Sequence, residues 1–140
     1  MTTDTIAKTA EFASADGWRV GGMAKGAGML APGLATMLVV ITTDAAVDHD
    51  TLQSALAHAT HVTFDRIDSD GCMSTNDTVL LLANGAAGVV PPTTEFAQLL
   101  EEVCAELALK LIGDAEGASK DVRIRSEEHT SELQSHHDLV

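Results

Sequence analysis

A threonine hydroxyl is a competent nucleophile only when a base lies beside it. Thr36 stands where that condition can be met. The stretch KGAGMLAPGLATMLVVITTDA, residues 25–45, passes from a glycine-rich, proline-bearing loop into an apolar, β-branched run. Cutting the Ala35–Thr36 bond would give Thr36 an α-amine. Such an amine, with a pKa of about 8, is a base within reach of its own hydroxyl. The hydroxyl can make the cut itself by attacking the preceding carbonyl. Gly33 frees the turn before it, Pro32 restricts that turn, and Ala35 leaves the carbonyl uncrowded. From residue type alone, a threonine opening such a run is equally a good strand former.

The surrounding elements must position this residue. Ala10–Ala15 and Trp18–Met23 flank Asp16-Gly17, the pattern of a hairpin. Gly21, Gly22, Gly26 and Gly28 lead into a loop closed by Pro32 and Gly33, and Thr36–Thr42 reads as a buried strand. Asp48 or Asp50 can cap a helix running to about Val62. Ser74 and Asp77 have capping-box spacing ahead of Val79–Leu82, which predicts a short helix ending near Asn84-Gly85. After Pro91-Pro92, Thr93 or Thr94 can cap a longer helix. Phe96, Leu99, Leu100, Val103, Leu107 and Leu111 form its stripe, and Gly113 ends it. Asp121–Ile124 reads as the opening of a further strand. The expected fold class is α/β in the layered α+β sense, a mixed sheet packed by helices.

Composition narrows the function. The 140 residues suffice for one domain, and 45% of them are apolar. Aromatics make up only 3%, with one Trp and no Tyr, which argues against base-stacking nucleic-acid modules. A net charge of −13 repels phosphate backbones and anionic membranes, so neither nucleic acid nor membrane is expected as a partner. Cys72 and Cys104 lack CxxC spacing, no metal site is expected, and two free thiols suit a reducing compartment. No apolar run reaches the ~18 residues of a membrane span, the first ten residues carry no signal core, and a cytoplasmic location is expected. Asp65, Asp68 and Asp70 precede Gly71, but an EF-hand register would put Arg66 at its first position, so calcium is not indicated. His49, His58 and His61 read as helix-surface residues. GMAKGAG lacks the GK[ST] ending of a P-loop.

The wider string is more specific. GGMAKGAGMLAPGLATMLVVITTDA closely resembles the ornithine acetyltransferase family, also called glutamate N-acetyltransferase. DSDGCMSTNDTVLLLANG and GDAEGASK resemble two further family segments in the same order. The resemblance covers roughly residues 1–124 and implies part of the ornithine acetyltransferase-like fold. It implies self-cleavage between Ala35 and Thr36, so that residues 1–35 end an α chain and residues 36–124 begin a β chain. Thr36 then takes an acetyl group from N2-acetyl-L-ornithine as an ester and passes it to L-glutamate, a step in arginine biosynthesis. Lys25 matches the family lysine of the KG-GM loop, where an ammonium can meet a substrate carboxylate; the plain alternative is a solvated loop lysine. Glu116 matches the family glutamate of the EGA-K segment, with a surface charge as its alternative. No cofactor is implied, although some members accept acetyl-CoA as donor, and an α2β2 assembly is expected. Gly33 stands where Asn or Asp is frequent in the family. Two other readings remain open at this point: a self-cleaving aminopeptidase-like hydrolase, and a non-catalytic acidic interaction domain.

The family's oxyanion-hole residues lie ahead of the resembling stretch, and its C-terminal substrate contacts lie beyond it. This stretch alone is therefore expected to be inert and marginally folded. Residues 125–135, RSEEHTSELQS, are similar to the translation of a common sequencing adapter, and residues 125–140 are expected to be adapter-derived. That sets aside His129, His136 and His137 as a metal cluster. Resequencing the source locus tests the tail: a genomic frame that encodes it refutes the adapter origin.

Overall fold

Polar and apolar residues alternate through TAEF, residues 9–12, and Asp16-Gly17 supplies the turn chemistry that folds this run back. A computed structural model describes residues 4–26, 37–67, 76–115, 120 and 122–125. In it β1 (Lys8–Ala13) pairs antiparallel with β2 (Arg19–Lys25). Ala13 faces Arg19, so residues 14–18 make the connection, and Gly17 there takes a left-handed φ of 89°. β1 starts at Lys8 rather than Ala10, and β2 continues past Met23 to Lys25.

β3 (Leu38–Thr43) pairs antiparallel with β2 and parallel with β4 (Thr78–Ala83), giving a mixed sheet in the order β1-β2-β3-β4. Between β3 and β4 run α1 (His49–Val62) and a 3₁₀ turn, Phe64–Arg66. Asp48 is the cap: its carboxylate accepts from the N–H groups of Asp50 and Thr51, both at 3.0 Å. α2 spans Thr93–Gly113. Neither Thr93 nor Thr94 caps it. Pro92 holds that position without a side-chain bond, and its carbonyl accepts from the Phe96 N–H at 3.0 Å.

Two expectations fail, for the same reason. TVLLLA, residues 78–83, is strand β4, not the short helix that capping-box spacing suggests. Six residues make fewer than two helical turns and repay helix nucleation poorly. The open edge of β3 instead offers a complete row of hydrogen-bonding partners. Asp77 accordingly caps no helix; Ser74 lies outside the described residues. The expected strand at Asp121–Ile124 is also not seen over 122–124, which are irregular, with Val122 and Ile124 exposed. Asp121 lies outside the described residues. None of the four strands pairs with this segment, and an unpaired strand leaves its backbone groups unsatisfied.

The helices form a layer on one face of the sheet. α2 packs on β1 and β2, and α1 packs on α2. Val20, Val39 and Ile41 point inward from the sheet and meet Phe96, Leu100 and Leu107 of α2, all fully buried. Trp18 stacks at a tilt on Phe96, ring centroids 5.8 Å apart. Leu99, expected on the stripe, is only partly buried. Gly22 is where helix and sheet come closest. A Cβ there would stand 3.0 Å from Ile41 Cγ1 and 3.3 Å from Leu107 Cδ1. Gly22→Val should therefore lower stability by about 1–3 kcal/mol through overpacking. Met23→Thr, on the open face and 62% exposed, should stay within about 0.5 kcal/mol. Urea midpoints compare them; equal shifts would mean that α2 does not depend on this close approach.

Candidate functional site

Strand register brings the anchors of the candidate residues to one end of the sheet. Lys8 pairs with Ala24, Lys25 with Leu38, and Leu38 with Thr78. Lys25 is thus the last residue of β2. Ala35, Thr36 and Glu116 lie outside the described residues. Thr36 precedes Leu38 by two positions in the chain, and Glu116 follows by two the Asp114 that caps the C-terminus of α2.

A buried ammonium organises this end. Lys8 shares the inward row of β1 with Ala10 and Phe12 and is only 2% exposed. A buried cation is costly unless it is paired and hydrogen-bonded. Lys8 Nζ donates to Asp4 Oδ1 at 2.6 Å and also to Asp114 Oδ2. Asp114 further accepts from the Thr5 N–H at 3.0 Å and from the Thr5 hydroxyl. The Lys8 hydrogen bond, followed by that from Thr5, holds the Asp114 carboxyl down at about 2. Burial opposes the charged form of Lys8, but its hydrogen bonds to Asp114 and Asp4 outweigh burial and raise its pKa.

Asp4 extends the cluster to the candidate lysine. Its carboxylate accepts from the Gly26 N–H at 2.9 Å and lies 3.9 Å from Lys25 Nζ. The Lys25 side chain is 59% exposed, so its ammonium is steadied by Asp4 yet open to an incoming anion. On the other side, Met37, the residue after Thr36, is held through both backbone groups. Its N–H donates to Asp77 Oδ1 at 3.1 Å, and its carbonyl accepts from the Thr78 N–H at 2.9 Å.

The remaining chemistry is quiet. Burial, then the nearby Glu101, pushes the Cys104 thiol up to about 12, so it is no thiolate nucleophile; Cys72 lies outside the described residues. Among the described residues no group of three or more His, Cys, Asp or Glu side chains could hold a metal. No helix among them is long and apolar enough to cross a membrane. A shallow cavity of about 560 Å³ lies over the sheet between residues such as Glu11, Arg19, Thr42 and Asp44, and no candidate residue lines it.

Sequence reasoning overlooked Asp4, Lys8 and Asp114. The signal available was the alternation of Thr9–Phe12, whose phase, extended back one residue, puts Lys8 on the apolar side of its strand. A buried lysine requires carboxylate partners, but the alternation does not say which.

Comparison with known proteins defines the class. The fold and the ordered motifs are those of one family of enzymes, and its model, described as the ArgJ family, matches residues 1–137. The chain belongs to the ArgJ family. It is 66% identical over 123 residues to "Arginine biosynthesis bifunctional protein ArgJ" of Streptomyces avermitilis, covering 88% of this chain and 32% of that protein. It is 59% identical over 132 residues to the protein of the same name from Bifidobacterium longum, covering 94% and 34%. The chain thus spans about a third of the length of the curated relatives it matches. A crystal structure of Arginine biosynthesis bifunctional protein argJ from Bacillus halodurans superposes with a TM-score of 0.53 at 40% identity, over 59% of this chain and 41% of that one.

The ion cluster can be tested directly. Lys8→Met leaves Asp4 and Asp114 without their shared cation and should lower stability at pH 7 by about 3–5 kcal/mol; adding Asp114→Leu should restore most of it. In the unsubstituted chain the Asp114 contribution is complete above its ordinary value of 3.8 and is lost as pH falls toward about 2. The Lys8 contribution is complete below 10.5 and fades only as pH rises above it. Urea unfolding across pH 2–7 reads the Asp114 loss, with the Lys8 contribution constant throughout that range; equal losses in the single and double variants would refute the shared ion pair.

Proposed function

We propose that this chain belongs to an enzyme that transfers the acetyl group of N2-acetyl-L-ornithine to L-glutamate in arginine biosynthesis, with Thr36 as nucleophile. The family match runs across the Ala35–Thr36 junction, and this observation carries the reading. In maturation, Thr36 Oγ attacks the Ala35 carbonyl carbon. The peptide C–N bond breaks, an ester forms, and the released nitrogen becomes the α-amine. Water then hydrolyses the ester and leaves Ala35 as a C-terminal carboxylate. Residues 1–35 so end one chain and residues 36–124 begin the other, with an α2β2 assembly as the proposed partnership; residues 125–140 are proposed as adapter-derived.

In turnover, the α-amine takes the Thr36 hydroxyl proton while Oγ attacks the acetyl carbonyl. The bond from acetyl carbon to N2 breaks, that proton passes to the departing amine of ornithine, and an acetyl-threonine ester remains. Glutamate then attacks the ester carbonyl through its neutral amine; the bond from acetyl carbon to Thr36 Oγ breaks, the α-amine relays the proton from the attacking nitrogen to Oγ, and N-acetyl-L-glutamate leaves. Lys25 is proposed to receive a substrate carboxylate, supported by its half-exposed ammonium at the rim of the sheet. Glu116 is proposed to contact the amino end of the substrate. No cofactor is invoked; the word bifunctional in the relatives' names favours acetyl-CoA as a second acetyl donor. A cytoplasmic location goes with this reading.

A chimera tests it: residues 4–125 of this chain replace the matching third of the Streptomyces avermitilis relative. Mass spectrometry should find a cut between Ala35 and Thr36, and the product should form N-acetylglutamate from acetylornithine and glutamate. Thr36→Ala should leave the precursor uncut and lower turnover by at least ~10³-fold. Cutting and turnover that survive Thr36→Ala would overturn the proposal. The 140-residue chain alone should be slower than the chimera by on the order of 10²-fold or more, the effect of one missing oxyanion donor.

A further inference from the structure

The hydrogen bond from the Met37 N–H to the Asp77 carboxylate lies outside the ladder that pairs β3 with β4. β3 begins at Leu38 and β4 at Thr78, and the two strands pair from their first residues. The Thr78 N–H to Met37 carbonyl bond already extends that ladder by one step. Asp77 adds a second clasp from outside the strand. Its side chain reaches across 40 residues of sequence to the Met37 amide at 3.1 Å. That amide is three covalent bonds from the α-nitrogen of residue 36.

We propose that Asp77 is a positioning residue for the N-terminal threonine, holding the Met37 amide so that residue 36 extends from a fixed strand end. The assignment rests on the reading of Thr36 as nucleophile. A chain terminus normally frays. A terminal nucleophile must instead hold its hydroxyl and amine in one geometry, and a poorly seated group loses orders of magnitude in rate. Met37 supplies that seat, because both its N–H and its carbonyl are engaged by the start of β4. The Asp77 carboxylate also brings a negative charge to the α-amine formed by cleavage. This charge favours the protonated amine and raises the pH at which the base becomes free. The other charged groups at this sheet end are Lys25, paired in register with Leu38, Asp4, which lies 3.9 Å from Lys25 Nζ, and the buried Lys8 and Asp114; Glu116 is proposed for the same site.

Two measurements test the assignment. The first is hydrogen exchange of the Met37 amide in the 140-residue chain, which does not depend on catalysis. Asp77→Ala should speed this exchange about tenfold while the Val39 and Ile41 amides keep their protection. Asp77→Asn, which retains an acceptor oxygen, should stay near the unsubstituted rate. An unchanged Met37 amide in Asp77→Ala would overturn the positioning role even if Thr36 is the nucleophile. The second uses the chimera. Asp77→Ala should lower kcat about tenfold with the KM for glutamate within twofold. Asp77→Asn should recover most of kcat and move the acid limb of the pH profile down by about half a unit. A KM effect without a kcat effect, or an Asn variant with an unmoved pH profile, would overturn it. Loss of Thr36 dependence in the parent chimera strikes the nucleophile reading and leaves the exchange result to stand on its own.

Discussion

One buried ammonium ties the first strand to the end of the long helix. Lys8 sits where the strand period puts an apolar side chain, and its charge is tolerable only because Asp4 and Asp114 meet it there. These carboxylates come from opposite ends of the described fold, 110 positions apart in sequence. Pairing them through one cation fixes the first strand against the end of the long helix. Asp4 then carries the constraint to Gly26 and Lys25, where β2 gives way to the loop. The interaction is more valuable as a locator than as a source of stability, since an apolar replacement of similar volume could match it energetically.

β3 is the second constraint. Flanked by β2 running against it and β4 running with it, it is the strand where the sheet changes from antiparallel to parallel. An antiparallel partner needs only a turn, whereas a parallel one needs a crossover, which α1 and the 3₁₀ turn provide. Both neighbours therefore end or begin at the same edge as the start of β3. The catalytic proposal uses this edge because the segments bearing Lys25, Thr36 and Glu116 all leave from it.

Much of this was legible from residues alone. The hairpin follows from Asp16-Gly17, the cap of α1 from Asp48, and the buried face of α2 from its spaced Phe, Leu and Val positions. β4 was not legible. Asp77 has the look of a cap, and four consecutive apolar residues show no decisive period. What makes TVLLLA a strand is the vacant edge of β3, a partner forty residues away in sequence. The ion cluster was half legible, because alternation exposes Lys8 as an inward lysine without naming Asp4 or Asp114. Of the proposed catalytic residues, only Thr36 had a chemical rationale in its own surroundings. Lys25 and Glu116 stood out through motif resemblance, because a lone lysine or glutamate in a loop carries no spacing signal.

The pairing of Lys25 with Leu38 has a consequence for topology. Residues 26–37 join two strands that are hydrogen-bonded to each other, so this connection is covalently a ring closed by a clasp. Opening the ring anywhere along its arc leaves the clasp shut. A nick there would convert an intramolecular hairpin into a heterodimer interface without breaking a single ladder bond. The two pieces would stay together as one particle and separate only under denaturing conditions.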